Sequence, residues 1–510
     1  MTRRSYEAVL VPALLYAASF ALLVATARMV GVTLHEPPRL AAATDAATLF
    51  SPAGKLVAVW ATRLDGALAR GNPSPLAPTL LGGYVWAILA RPPHAMIDPL
   101  LSLRLGAIAL SAAIPPLVHA MTRPWLGRSL ALVAAALSVL GPRVLIDGAT
   151  LSGDGPAVAL ALGALASYLA SIERRDARWG VGSAALLGLA AAVSTSTVLL
   201  VPVLAIHFAF ERQHATARLA RIGYAPLPIA LVALPLVGPF AFLIAQPFLL
   251  SHTVERLRDV AIRALSPTLG PGIWGGLPPS MDAIPRTHAT ASLLIALPST
   301  TVILAVVGMI ACGRLPVDRF ADGGTRARLA LLSAAAVTCW PLIAPSGFLS
   351  FPSHWALAVP FVAMLAALGV GVVARAARDD ARRAAILAVP VGIALMTSLP
   401  STSLGAAFPV LVGTSRGSRS ALHDASPAAG LTAAIDALRS DSVVVFSPDV
   451  PADVWEWTHR LGRMRTLVTT APTEAAASLL VLTGEPRGRG GTIVAEVKRD
   501  GVPVLTLLKR

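Results

Sequence analysis

The chain is short of charge, cysteine and aromatic residues. Charged side chains make up only 14% of its 510 residues, against about a quarter in soluble domains, and this excludes an ordinary soluble globule. Cysteine occurs twice, as Cys312 near one end of an apolar run and Cys339 inside the next. That placement sets them at different depths and implies neither a disulfide framework nor a thiolate metal site. No HExxH spacing is present, no internal repeat stands out, and aromatics are at 5%.

What the chain has instead is apolar length. Hydrophobic residues reach 55% and the mean hydropathy is +0.69, the composition of a polytopic membrane protein. The net charge of +15 does not point to nucleic acid, because the basic residues fall in short clusters between apolar runs. The N-terminal run to Val32 is too long for a signal-peptide core and is expected as an uncleaved first helix, with Arg3 and Arg4 left in the cytoplasm.

Apolar runs predict about eleven crossings. They fall near 9–32, 105–120, 129–140, 157–172, 181–192, 198–210, 226–250, 291–311, 329–343, 356–373 and 384–412. Arg-rich turns then alternate with long or acidic loops. Counting Leu76 to Ala90 as a further crossing would put the later Arg clusters outside, so that stretch is expected as an interfacial segment.

The transmembrane domain is expected over 1–412, with outer loops at 34–104, 141–156 and 251–289. A Gly/Ser/Ala linker follows over 413–430. Alternating helix-like and strand-like pieces over 431–510 then predict a small α/β domain on the outer face. The fold class is thus a polytopic α-helical membrane protein with a small C-terminal α/β extracytoplasmic domain. Abundant Ala, and Arg in excess of Lys, suit a bacterial cytoplasmic membrane as its location.

The chemistry is expected in the first outer loop, which carries His35, Glu36, Asp45 and Asp65. Taken alone, each has a plain structural reading. A loop Glu is commonly solvated, Asp154 in SGDGP suits a helix N-cap, Arg104 suits an interfacial anchor and His354 suits packing. His252, Glu255 and His288 lack a tight metal-ligand spacing, and Trp455 and Trp457 suit a core or a docking surface.

Several residues in order resemble the GT-C superfamily of polytopic glycosyltransferases, nearest to its protein-mannosyltransferase and aminoarabinose-transferase branch. His35-Glu36 stands where that family has an acidic pair, Pro73-Ser74-Pro75-Leu76 where it has a proline motif, Arg104 at its helix-opening arginine and Asp154 at its second-loop Asp. SHWALAVPFVAMLAALG, with His354, resembles its late motif. The likeness covers about the first 210 residues and the late motif locally. One departure is plain: the family pair begins with Asp, and here that position is His35.

The resemblance implies transfer of a sugar, with inversion, from a polyprenyl-phosphate carrier to a lipid, glycan or protein acceptor on the outer face. It assigns Glu36 as general base, with Asp45 as a substitute, and Asp154 to the acceptor or to a divalent metal. It assigns Arg104, Arg143 and His354 to the lipid phosphate, and His35 to the substrate. Two rival readings stand beside it: a catalytically degenerate membrane scaffold, which His35 favours, and a transporter, which spans nearly free of ionisable groups disfavour.

Overall fold

The computed structural model describes residues 3–33, 36–47, 84–85, 87–88, 97–151, 153–174, 176–219, 228–246, 254–255, 257–258, 297–314, 324–343, 357–377, 379–402, 427–438, 440–447, 452–483, 491–499 and 502–509. A helical unit carries a C-terminal α/β domain at one end, as its composition predicts. Outside the described residues lie the proline motif Pro73–Leu76, nearly all of the 76–90 segment, and most of the third outer loop.

In chain order the helical unit comprises α1 (Arg3–Met29), α2 (Pro37–Ala47), α3 (Pro99–Ser111), α4 (Ile114–Leu126), α5 (Arg128–Val139), α6 (Pro142–Ala149) and α7 (Asp154–Arg174). It continues with α8 (Ala177–Val193), α9 (Leu200–Leu219), α10 (Ile229–Ala245), α11 (Ser299–Arg314), α12 (Gly324–Ile343), α13 (Val359–Arg375) and α14 (Asp380–Thr402). Each stretch expected to cross overlaps at least one of these helices, 105–120 overlaps both α3 and α4, and 226–227, 247–250, 291–296, 356 and 403–412 lie outside the described residues.

Among the described residues, three helical stretches are long and apolar enough to cross a membrane: Val9–Met29, Pro99–Leu126 and Asp154–Arg174. Six shorter apolar helices accompany them. The Pro99–Leu126 stretch is α3 and α4 joined at a break, since Pro115 and Pro116 lack the amide hydrogens that would continue the ladder. Of α1's most apolar window only 17% is buried, against 72% for α7, so α7 is central and α1 peripheral. Leu236, Phe240, Ile244 and Ile303 turn outward, where a bilayer would meet them.

Small residues let two helix pairs approach closely. A Cβ added at Gly188 of α8 would fall 2.1 Å from the Gly238 carbonyl of α10. On α11 and α13 the contact is reciprocal, Gly308 against the Leu365 carbonyl at 1.9 Å and Gly369 against the Leu304 carbonyl at 2.0 Å. Such backbone approach is how apolar helices gain dispersion contacts where no water is present to drive them together.

At the end of the bundle that bears the short basic turns, Arg326 of α12 donates to both Glu173 oxygens, at 2.7 and 2.6 Å. It also donates to the Ala120 carbonyl at 3.0 Å, so one guanidinium ties α12 to α7 and α4.

The C-terminal domain has a five-stranded sheet in the order β2-β1-β3-β5-β4, from β1 (Ser442–Phe446), β2 (Leu467–Thr470), β3 (Leu479–Thr483), β4 (Thr492–Arg499) and β5 (Val502–Lys509). Strands β2, β1 and β3 run parallel, and β5 and β4 add an antiparallel hairpin. Helices α15 (Pro427–Asp436) and α16 (Ala452–Arg460) complete it. Helix α15 begins inside the stretch expected as linker, where Pro427 suits a first helical turn. Trp455 and Trp457 are buried core residues.

Asp436, at the end of α15, receives the amides of Arg465 at 3.0 Å and Thr466 at 2.9 Å and so fixes the entry to β2. Partial burial pushes its carboxyl up, but those backbone donors outweigh it and hold it below the usual carboxylate range. A depressed carboxylate contributes stability above its unfolded-state range, and that stability is lost as pH falls through the folded value. Asp436→Asn is therefore expected to cost about 1 kcal/mol of local stability at neutral pH. Amide exchange at Thr466 checks this, and the gap between parent and variant should close in strong acid.

Candidate active site

The end of α1 leaves carbonyls without helical partners, as every helix does. Arg104 of α3 supplies them. Its Nη1 donates to the carbonyls of Ala27 at 2.9 Å and Val30 at 2.7 Å, and its Nη2 to that of Gly31 at 2.6 Å. A fixed cation at a helix C-terminus is also favoured by the helix dipole.

The same guanidinium grips Glu36. Nε donates to Oε1 at 2.8 Å and Nη2 to Oε2 at 2.6 Å, the two-pronged geometry that suits arginine and carboxylate. Arg104 is 0% and Glu36 1% exposed. Two backbone amides complete the carboxylate's shell, Thr33 on Oε2 and Leu151 on Oε1, both at 2.8 Å. Burial pushes the Glu36 carboxyl up, but the Arg104 charge and these hydrogen bonds outweigh it, and the group lies below its ordinary value.

Glu36 also starts α2, its carbonyl receiving the amides of Arg39 at 2.9 Å and Leu40 at 2.8 Å ahead of Pro37. One ion pair therefore joins the end of α1, the start of α2, the body of α3 and the turn between α6 and α7.

This geometry bears on two expectations. Four donors on two oxygens leave Glu36 little basicity and no open lone pair toward a substrate, which argues against the general-base role. Arg104 is spent on four partners within the protein, which argues against its holding a lipid phosphate. The stretch 141–156, expected as the second outer loop, contains helix α6, which carries Arg143, and the start of α7 at Asp154.

Asp154 is half-buried in the first turn of α7, where an acid also complements the helix dipole. It lies three positions after Leu151, whose amide donates to Glu36. Gly155 beside it is needed for packing, since a Cβ there would lie 2.3 Å from Ser111 Oγ on α3. Asp45 is on α2, within the first outer loop. His35 and His354 lie outside the described residues.

Four side chains escaped sequence reasoning. Arg39 on α2 sends Nη1 to the Leu151 carbonyl at 3.3 Å, its Nε is buried without a hydrogen-bond partner, and it makes no ion pair among the described residues. Asp147 on α6 is a buried carboxylate beside a small cavity lined by Ser138, Gly155 and Pro360. Its signal was a lone acid in the apolar run VLIDGA. Buried His119 and His207, the latter 3.1 Å from Tyr168 Oη, show that the helices are less free of ionisable groups than expected. No three His, Cys, Asp or Glu side chains converge as metal ligands among the described residues.

These features define a multi-pass membrane protein with an enclosed charged centre beneath an α/β domain. Residues 95–242, which include Arg104, Asp147 and Asp154, match the family model of dolichyl-phosphate-mannose-protein mannosyltransferases. The resemblance read from the sequence thus holds across that segment. No curated protein sequence matches the chain.

Among solved structures the chain is similar to ArnT from Cupriavidus metallidurans. In the apo state that protein is 13% identical, with 97% of each chain covered and a TM-score of 0.49. With undecaprenyl phosphate bound it is 14% identical, with the same coverage and a TM-score of 0.48. The apo oligosaccharyltransferase of Archaeoglobus fulgidus is 14% identical, with 91% of this chain and 65% of that one covered and a TM-score of 0.48.

Proposed function

We propose that the protein is a membrane glycosyltransferase that moves a sugar from a polyprenyl-phosphate carrier to a lipid, glycan or protein acceptor on the extracytoplasmic face. The match of residues 95–242 to a family of sugar transferases carries this reading. The charged centre, to which that segment contributes Arg104 and Asp154 and the preceding loop Glu36 and Arg39, gives it a site.

In the proposed reaction the acceptor oxygen or nitrogen attacks the anomeric carbon from the face opposite the phosphate. The bond from carbon to phosphate oxygen breaks, its electron pair leaves with the phosphate, and the configuration inverts. Asp154 takes the acceptor's proton. Arg39, whose charge no described carboxylate answers, faces the departing phosphate, where negative charge grows in the transition state. Glu36 and Arg104 hold the walls of the site in register. A divalent metal, were one to bind, would supply further positive charge at the same phosphate, and Asp154 is the described carboxylate nearest in sequence to the centre.

Purified protein given radiolabelled polyprenyl-phosphate sugars and a mixed acceptor extract is expected to consume a donor. Asp154→Asn should lower kcat by about 10²-fold or more, the usual scale for a general base. Arg39→Gln should raise the donor's KM about tenfold, equal to about 1.4 kcal/mol. A parent protein that consumes no donor overturns the reading. His35, standing where the family has Asp, then gives the lead to a scaffold that binds partners without turnover.

A further inference from the structure

The C-terminal domain shares one hydrophobic core with the floor of the site. Val32, Leu40, Leu100, Leu103 and Leu151 pack in the same cluster as Leu431, Trp455, Met464 and Leu507. Leu103 adjoins Arg104 in sequence, and Leu151 supplies the amide that holds Glu36. The domain therefore forms the back of the wall that carries the ion pair.

One polar contact crosses the same boundary. Asp98 is the N-cap of α3, its Oδ1 accepting the Leu100 amide at 3.3 Å. Its Oδ2 accepts from Nη2 of Arg463 in the C-terminal domain. A dedicated turn aims Arg463: Gly462 takes the left-handed φ of 68°, and the Arg463 amide reaches back to the Thr458 carbonyl at 3.0 Å, the Schellman ending of α16. Asp98 begins the helix that presents Arg104 less than two turns later.

We propose that Arg463 is a positioning residue that sets α3 through Asp98, so that the C-terminal domain is a working part of the site rather than an appended module. The bearing on turnover rests on the glycosyltransferase reading, whereas the bearing on α3 stands on the contacts alone. Loss of the Arg463 contact leaves the Asp98 carboxylate with the Leu100 amide alone among the described residues and frees the helix to fray toward Arg104.

The test is hydrogen exchange by mass spectrometry on the full-length protein in nanodiscs, comparing the parent with Arg463→Glu and Arg463→Lys. Arg463→Glu is expected to speed exchange of the 100–104 amides about fivefold, the usual effect of losing a helix cap. Arg463→Lys should restore most of the protection. In the donor assay Arg463→Glu should lower kcat several-fold with little change in donor KM.

Unchanged exchange in α3 overturns the proposal. So does faster exchange confined to β1–β5, which would give Arg463 a role only within its own domain. An inactive parent removes the kcat arm and the glycosyltransferase reading with it, while the exchange arm still decides the proposal.

Discussion

Arg104→Met is expected to destabilise the protein by about 3–5 kcal/mol, the scale for breaking a buried ion pair from one side. The substitution keeps the length and apolar stem of the side chain but strips its partners. Glu36 would remain buried with only the Thr33 and Leu151 amides, and the carbonyls of Ala27, Val30 and Gly31 would lose their donor. Each unmet buried group costs in its own right. Thermal denaturation in detergent reads the loss, which should be partly relieved in Arg104→Met/Glu36→Leu, because removing both charges leaves nothing uncompensated. The same measurement separates two roles for Glu36. A residue that served only as a base would lose activity on Glu36→Gln with the melting unchanged. The geometry predicts that melting falls as well, since Arg104 then lacks its counter-ion.

Gly308→Val is expected to be the most damaging single substitution in the apolar part of the bundle. A Cβ at that position lies 1.9 Å from the Leu365 carbonyl, and the obstacle is backbone, which cannot rotate aside. Helices α11 and α13 must part, and the reciprocal contact of Gly369 with the Leu304 carbonyl is lost with them. The cost belongs at or above the upper end of the about 1–3 kcal/mol usual for overpacking. Gly392→Val on α14 is the control, since a Cβ at Gly392 meets nothing within 4 Å. Comparable melting of the two variants would refute the close-packing account.

Much of this architecture was legible because it is written in runs of apolar residues. The strands SVVVF, LLVLT and VPVLTLLK, and the long apolar runs, each advertise an element. The candidate site was legible only as a list. Glu36 and Arg104 stood out singly, but nothing local says that residues 68 positions apart spend their charges on one another. For the same reason the first outer loop read as open and its carboxylate as available. Asp98 and Arg463 lie 365 positions apart and gave no signal at all, and nothing local set Arg39 apart. Pairing depends on how the chain returns on itself, and short-range pattern does not encode it.

The shared core beneath the site also sets an order of events during synthesis. Val32, Leu40, Leu100, Leu103 and Leu151 leave the ribosome early, whereas the residues that cover them begin only at Leu431. At about 5–20 residues per second, that apolar face waits on the order of 15–60 s for its cover. The newborn chain must therefore be inserted and shielded before that face is covered, and the candidate site is complete only once the C-terminal domain has emerged and docked.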